Sequence, residues 1–341
     1  MTEKQQREHW IDTLKAICII CVYIAHCESF YCPSYNIAQL IVTPFYVNAF
    51  FFINGYLIVR KYFNNGKINN YSLKEYRDNI KNILFRLAIP TIIFSAIIYL
   101  PKNNFYFDLR DFSIVVFGGV SLWFTSALCI SQFVIHTLFL SKQKNIWLYV
   151  LITFTIFLLT NIFGDVRSKP AIEFFPWYWQ TGMIYTFLML LGGLYYKYES
   201  KINHIINKPL AFIIAFLALT TVMIFAWNGT QMNCLGLSGK SNILGFTTII
   251  LSILLLIFVA KRIDSNKMTD FIGRQSIVFY FLSGAVPSTI LKCIEMFQLE
   301  KSYMILTAYI LLSLTISYVT AYIITKYLPF LVDIRTILKK K

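Results

Sequence analysis

The first long apolar run of the sequence contains three ionisable side chains, Asp12, Lys15 and His26. Charged groups inside apolar segments are costly to bury, so they are functional candidates by default. If this run is a helix, Lys15 and His26 are nearly three turns apart and share one face, separated by about 16 Å along the axis. An ammonium attracts anions, and an imidazole exchanges protons near neutral pH. One helix face therefore carries an anion-binding group and a proton-transfer group.

The composition predicts that this helix lies in a membrane. The chain has 341 residues, of which 57% are hydrophobic and 14% charged, and its mean hydropathy is +0.61. A soluble domain usually has about 25% charged residues, and disordered chains are poor in apolar ones. The net charge of +15 would also suit nucleic-acid binding, but the basic residues lie between apolar runs, as in the cytoplasmic loops of membrane proteins. We expect membrane lipids as partners and no nucleic acid.

Ten apolar runs approach the roughly 20 residues that a membrane-spanning helix requires. They cover residues 11–32, 38–59, 82–100, 112–138, 146–163, 179–196, 209–227, 243–260, 275–292 and 303–328. Lys and Arg divide 22 to 7 between the two alternating sets of flanking segments. This bias predicts an all-α integral membrane protein of about ten transmembrane helices with both termini in the cytoplasm. Residues 1–341 are expected to form one domain, and no metal-ligand spacing is present.

A series of short motifs accompanies these runs. Asp12 and Lys15 precede His26, Asn54-Gly55 lies in the second run, Arg86 stands before Pro90, and Leu122-Trp123-Phe124, Leu191-Gly192 and Gly273 to Tyr280 follow. In this order the chain resembles the type-3 membrane acyltransferase family, whose members include glycan O-acetyltransferases. Three positions depart from the family pattern. Asn54 replaces a frequent Ser, Arg86 stands alone where many members have two Arg, and Ser283 occupies the place of a frequent His. The last departure places more weight on His26.

The resemblance implies acetyl-CoA, or another acyl-CoA, as a cytoplasmic co-substrate, with no tightly bound cofactor. Lys15 and Arg86, with Asp12 and Lys81 nearby, would hold the phosphates of this donor, because Lys and Arg form charge-assisted bonds to phosphate. Asp12 and Lys15 also fit an interfacial ion pair whose lysine reaches the cytoplasm. The basic segment 60–81 equally fits ordinary positive-inside charge and contact with lipid headgroups.

On the same resemblance, His26 would act as the general base that deprotonates an acceptor hydroxyl. It would alternatively accept the acyl group itself in a two-step route, and the sequence does not separate these routes. Asn54 and Tyr280 are candidate donors to the oxyanion that forms at the thioester carbon. The other interpretation of Asn54-Gly55 is a helix kink whose polar group is satisfied by a neighbour. A hydrogen-bonded structural role is the alternative for His26.

The acceptor is expected to be a cell-surface glycan or a lipid-linked saccharide. Trp123, Glu173 and Trp177 are candidate acceptor-binding residues, since aromatic rings stack on sugars and carboxylates bind hydroxyls. Interfacial aromatic belts are the alternative for both tryptophans. The acceptor's identity, acetyl against longer acyl groups, O- against N-transfer, and the oligomeric state stay open.

Two other functional classes also fit a polytopic protein. The first is a secondary transporter or flippase, although the sequence shows neither a clear internal repeat nor clear Gly- or Pro-broken helix pairs. The second is a non-catalytic membrane sensor. The Lys- and Asn-rich composition fits a bacterial inner membrane.

Overall fold

Long apolar segments in lipid must satisfy their own backbone hydrogen bonds, and a helix does so within each segment. The computed structural model is accordingly built from helices. It describes residues 8–31, 37–64, 67–68, 71–103, 106–119, 121–143, 145–163, 176–206, 209–227, 243–264, 266–298 and 301–338. The helices are α1 (His9–Tyr31), α2 (Ile37–Val42), α3 (Tyr46–Tyr62), α4 (Leu73–Ile83), α5 (Ile89–Lys102), α6 (Leu109–Phe117), α7 (Trp123–Phe139), α8 (Ile146–Phe163), α9 (Trp179–Ile206), α10 (Pro209–Trp227), α11 (Ile243–Ala260), α12 (Lys267–Arg274), α13 (Ser276–Met296), α14 (Tyr303–Tyr327) and α15 (Arg335–Leu338).

The described residues also form three shorter helical turns and a hairpin. A π turn (Leu84–Ala88) joins α4 to α5, and 3₁₀ turns occur at Pro176–Tyr178 and Pro329–Leu331. The strands β1 (Phe63–Asn64) and β2 (Lys67–Ile68) pair antiparallel, with Phe63 opposite Ile68. This hairpin extends α3 beyond its last turn.

Each of the ten apolar runs coincides with one helix or with two consecutive helices. Within the described residues, four helical segments are long and apolar enough to cross a membrane, namely His9–Tyr31, Leu73–Pro101, Ser276–Met296 and Tyr303–Tyr327. Shorter apolar helices occur at Trp123–Phe139, Ile146–Thr160 and Phe246–Ala260. The protein is therefore a helical membrane protein. The count of ten spans, the cytoplasmic termini and the single domain stay predictions.

Two of the predicted runs are broken, so their prediction as continuous helices is wrong. The run 38–59 forms α2 and α3, separated by a turn at Thr43–Phe45. Pro44 lies in that turn, where its missing N–H and fixed φ disfavour a continuous helix. The run 112–138 forms α6 and α7, and Gly119 between them has φ +70°. Glycine adopts this left-handed conformation without steric cost.

Glycines bring α3 and α9 into direct backbone contact at the centre of the bundle. A Cβ atom at Gly55 would lie 1.6 Å from the carbonyl oxygen of Met189, and one at Gly192 would lie 1.9 Å from that of Phe52. Small residues permit such approaches between helices in membranes. Gly273 of α12 packs in the same way, since its Cβ atom would lie 2.1 Å from the carbonyl oxygen of Asp12. These contacts fix α3 against α9 and α12 against the first turn of α1.

Candidate functional site

A cavity of about 370 Å³ lies between α1, α3, α4, the π turn, α7, α12 and α13. Of the described residues that line it, four are cationic and none is acidic. The cations are Lys15, Lys61, Arg86 and Arg274. Around them lie Asn54, Leu57, Ile58, Tyr62, Asn79, Asn82, Ile83, Leu87, Gln132, His136, Ser276 and Ile277. A cavity with this lining favours an anionic ligand that also carries apolar and hydrogen-bonding groups.

Lys15 enters the cavity from α1, whereas Asp12 lies behind the cavity wall. The Asp12 side chain is buried, and its Oδ2 lies 3.9 Å from Nε of Arg274. Arg274 also lies 3.5 Å from Asp270, one turn earlier on α12. A carboxylate that flanks an arginine in this way holds its guanidinium in place. The structure thus brings Lys15 into the predicted anion site and places Asp12 next to Arg274.

The helix α12 is short, and Asn266 defines its start. The Asn266 side chain accepts hydrogen bonds from the N–H groups of Met268 and Thr269, at 3.0 and 2.8 Å. The hydroxyl of Thr269 in turn accepts from the N–H of Asn266, which completes a capping box. This cap places Arg274 on the last turn of α12, beside α1.

Arg86 enters the cavity from the π turn. Pro90 has no N–H for the carbonyl of Arg86, and its ring clashes with that carbonyl in a regular helix. The helix widens instead, and the N–H of Ile89 donates to the carbonyl of Leu84, five residues earlier. Such π turns occur frequently at functional sites. Lys81, which was predicted to join Arg86, is exposed on α4 and is not among the residues that line the cavity.

Asn54 meets Gln132 at the cavity wall formed by α3 and α7. The Asn54 amide donates to the carbonyl of Phe50 at 2.8 Å, and its oxygen accepts from Gln132 Nε2 at 3.1 Å. One turn further along α7, Nδ1 of the buried His136 lies 2.8 Å from the hydroxyl of Tyr71.

The sequence did not predict a site role for Lys61, Gln132, His136 or Arg274. The four-residue spacing of Gln132 and His136, which places them on one helix face, is the signal that was present.

His26 lies on the far half of α1 and is not among the residues that line this cavity. Its half-buried ring is 5.6 Å from the ring of Phe30. On the helix face that joins it to Lys15 lie Ile19 and Val22, with exposures of 0% and 1%. This face therefore points into the protein, and packed aliphatic side chains separate the imidazole from the ammonium.

Tyr280 lies on α13, one turn beyond Ile277, which lines the cavity. The hydroxyl of Tyr23, one turn before His26, donates to the carbonyl of Phe279 at 3.0 Å. The hydroxyl of Tyr280 accepts the N–H of Phe124 at 3.2 Å, at the start of α7. Since Phe124 precedes Gln132 by eight residues, this contact lies about 12 Å along α7 from the contact of Asn54. The two predicted oxyanion donors are therefore at different depths.

An aromatic cluster surrounds the start of α7. The ring of Trp123 is 6.3 Å from that of Tyr178, and the N–H of Trp177 donates to the carbonyl of Gly118 at 2.9 Å. Trp177 has φ 62°, an unusual conformation for a side chain of this size. Trp123 and Trp177 are thus brought to one end of the bundle, near Tyr280. Glu173 lies outside the described residues.

The comparisons with known proteins identify the family. A family model described as an acyltransferase domain matches residues 8–322. The chain belongs to the type-3 acyltransferase family. This confirms the resemblance seen in the sequence, and the protein is a membrane acyltransferase. Neither the curated proteins nor the solved structures contain a match to the chain.

In this acyltransferase, a second charged cluster lies beside the cavity, where α1, α3, α9 and α11 meet. Glu8 pairs with Arg60 at 3.0 Å, and Lys261 pairs with Glu199 at 2.6 Å. The hydroxyl of Tyr56 joins the two pairs by donating to both Glu199 and Glu8, at 2.7 and 3.1 Å. Burial lowers the pKa of Lys261, but its bonds to Glu199 and Tyr195 outweigh that effect and raise the pKa above its usual value. Two carboxylates pair with two cations in this cluster, and these ion pairs tie the four helices together.

Proposed function

We propose that this membrane acyltransferase transfers an acyl group, most simply acetyl, from cytoplasmic acyl-CoA to a hydroxyl of a cell-surface or lipid-linked glycan. The bacterial inner membrane is the proposed location. The observation that carries the proposal is the cavity, lined among the described residues by four cations and no carboxylate, in a chain of an acyltransferase family. Acyl-CoA combines a diphosphate and a 3′-phosphate with a neutral arm that ends in the thioester.

The donor would bind with its phosphates among Lys15, Lys61, Arg86 and Arg274. Charge-assisted bonds to phosphate are about twice as strong as neutral hydrogen bonds, and an arginine can form two of them at once. The cavity volume of about 370 Å³ suits part of the coenzyme and not all of it. Small-molecule sites generally measure about 300–1,000 Å³. The remainder of the donor would reach His26 along α1 only if the packed side chains of Ile19 and Val22 move aside.

His26 would take the proton of the acceptor hydroxyl as the oxygen attacks the thioester carbonyl. The new C–O bond forms, the C–S bond breaks, and the proton then passes from the imidazole to the leaving thiolate. The developing oxyanion needs a donor within about 3 Å. Of the two candidates, the Asn54 amide already bonds Phe50 and Gln132, whereas the Tyr280 hydroxyl accepts the N–H of Phe124 and keeps its own proton for donation. We therefore assign the oxyanion to Tyr280 and the donor arm to Asn54.

The test uses the full-length protein in lipid vesicles with radiolabelled acetyl-CoA and a glycan fraction from cells that lack the gene. We expect label on the glycan and release of free coenzyme A, with mass spectrometry locating the acetyl group on oxygen. The opposite result would be glycan that stays unlabelled while the protein is folded and acetyl-CoA is intact. If the label appears on an amine nitrogen, the acyltransferase activity is confirmed, but the proposal that the acceptor is a hydroxyl is wrong.

A secondary transporter or flippase is the alternative, and one observation favours it. The breaks at Pro44 and Gly119 produce two interrupted apolar helices, and transporters use such helices for substrate binding. The same vesicles separate the two functions. A transporter moves its solute when acyl-CoA is absent, whereas the proposed enzyme consumes one acyl-CoA for each product.

A further inference from the structure

The chain after α14 returns to the cavity. The family model ends at residue 322, so the 3₁₀ turn Pro329–Leu331 and the helix α15 (Arg335–Leu338) lie beyond the matched region. Asp333, between these two elements, lies 3.5 Å from Nε of Arg86, measured at its Oδ2. A segment that the family pattern does not include therefore contacts a cation of the proposed donor site.

Arg335 holds this carboxylate in place. Its backbone N–H and its Nε donate to Oδ1 of Asp333 at 3.1 and 2.8 Å, and its Nη2 donates to Oδ2 at 2.5 Å. Its Nη1 also donates to the side-chain oxygen of Asn82, a residue that lines the cavity. We call Asp333 and Arg335 the C-terminal clasp. The clasp bridges the last described segment of the chain to both α4 and the π turn.

Arg86, Asp333 and Arg335 together still attract an anion. Two guanidinium groups surround one carboxylate, so Arg86 and the clasp together carry one net positive charge. The hydrogen bonds from Arg335 hold the pKa of Asp333 below its usual value, which keeps the carboxylate ionised at neutral pH. Because Arg335 compensates Asp333, the carboxylate can orient Arg86 without cancelling its attraction for phosphate.

We propose that the C-terminal clasp is part of the donor site, with Asp333 and Arg335 as positioning residues for Arg86. This inference rests on the proposed acyl-CoA donor. The side chain of Arg86 is 63% exposed, so without a partner it would sample many rotamers. Within the described residues Asp333 engages it through Nε, and the two Nη atoms are suited to a forked contact with a phosphate. Fixing the side chain beforehand lowers the entropy lost when the donor binds.

The experiment is a double-mutant cycle on the full-length protein in vesicles. Asp333→Asn removes the carboxylate that positions Arg86. We expect the KM for acetyl-CoA to rise about fivefold, with kcat unchanged. Arg335→Gln leaves Asp333 uncompensated beside Arg86, so the KM is expected to rise about tenfold and to depend more strongly on salt. The double variant is expected to match Asp333→Asn alone, because the repelling carboxylate is then absent. Asp333→Glu is expected to stay within about twofold of wild type.

Two surface variants serve as matched controls. Asp78→Asn removes an exposed carboxylate from α4, and Lys326→Gln removes an exposed cation from the last turn of α14. Both are expected to leave the KM within about twofold of wild type. Thermal unfolding of every variant is recorded alongside, so that a loss of folding is recognised.

Direct binding of coenzyme A and of inorganic pyrophosphate separates this inference from the proposed function. If pyrophosphate binding depends on the clasp while coenzyme A does not bind, the clasp is upheld and the donor is wrong. If coenzyme A binds equally to wild type and Asp333→Asn, the clasp is rejected and the donor stands. A KM that falls in Asp333→Asn, additive effects in the double variant, or binding of neither probe would also reject the clasp.

Discussion

The two levels of the bundle use different chemistry. The inner level holds the cavity, where Lys15 and Arg86 meet other cations and the Asn54–Gln132 amide pair. The other level, the far half of α1, holds His26, whose ring is 5.6 Å from that of Phe30. The buried carboxylate of Glu28 lies two residues beyond His26 and accepts the N–H of Ala38 at 3.3 Å. On the proposed mechanism, the phosphates of the donor would bind at the first half of α1 and bond-making would take place at the second half.

The separation has a physical basis. Charged groups need water or a partner, and the desolvation cost of leaving them without either in an apolar bundle is several kcal/mol. Side chains such as imidazole and phenol, which can be uncharged, avoid this cost and still move or donate protons. Variants that change one level are therefore expected to leave the other level intact.

The largest expected effect comes from His26→Ala. Removing a general base typically lowers the rate by about 10²–10⁴-fold, so kcat for acyl transfer should fall by that factor. Binding of coenzyme A, measured by titration, should stay within about twofold because His26 is not part of the cavity lining. His204→Ala, at an exposed position of α9, is the matched control and should retain activity. Full transfer by the His26 variant would remove the base from the proposed mechanism.

The next largest effect is expected from Lys15→Ala at the inner level. A hydrogen bond to a charged group contributes about 1.5–3 kcal/mol, so the KM for acetyl-CoA should rise about 10- to 100-fold while kcat is retained. Steady-state kinetics at two salt concentrations measure this effect. Asp12→Asn should act more weakly and through Arg274, which it flanks at 3.9 Å. A fall in kcat with an unchanged KM would instead place Lys15 in the chemical step.

Tyr280→Phe is expected to have a smaller effect than Lys15→Ala. It should lower the stability of the fold slightly, and its effect on kcat is measured separately. The variant loses the hydrogen bond to the N–H of Phe124, which contributes about 1 kcal/mol to stability. Thermal unfolding in detergent should therefore begin at a lower temperature. The KM for acetyl-CoA should be unchanged, and kcat should fall if Tyr280 faces the oxyanion. If the variant is less stable but keeps its full kcat, Tyr280 only caps the start of α7 and does not face the oxyanion.

Lys81→Gln should have the smallest effect. Lys81 is exposed on α4 and is not among the cavity residues, whereas Arg86 on the adjoining π turn is. We expect the KM for acetyl-CoA to stay within about twofold in Lys81→Gln and to rise in Arg86→Gln, as measured in one assay. Equal effects of the two substitutions would mean that the donor senses the overall basic charge of segment 60–81.

Much of the fold was predictable from the sequence because apolar length alone identifies helices in lipid. The breaks at Pro44 and Gly119 were not predicted, since the flanking residues are apolar on both sides and hide the interruption. Lys15 and Arg86 were chosen because ionisable residues in apolar runs are rare. Arg274 and Gln132 were missed because their place in the cavity depends on contacts between helices distant in sequence.

The separation of Asn54 from Tyr280 was equally beyond the sequence. Both residues lie in family motifs, and the motif order gives no depth within the membrane. Depth came from specific contacts, such as the bond from Tyr23 to the carbonyl of Phe279. The roles of Trp123 and Trp177 stay predictions, although the structure places both at the same end of the bundle.

The backbone contact between α3 and α9 restricts how the protein admits a bulky molecule. With Gly55 against Met189 and Gly192 against Phe52, a movement of α3 towards α9 would bring backbone atoms into collision. We therefore expect any widening at the opposite wall, where α4 continues into the wider turn around Arg86. The residue that is proposed to bind the phosphates would then also lie on the part of the wall that moves when a ligand enters.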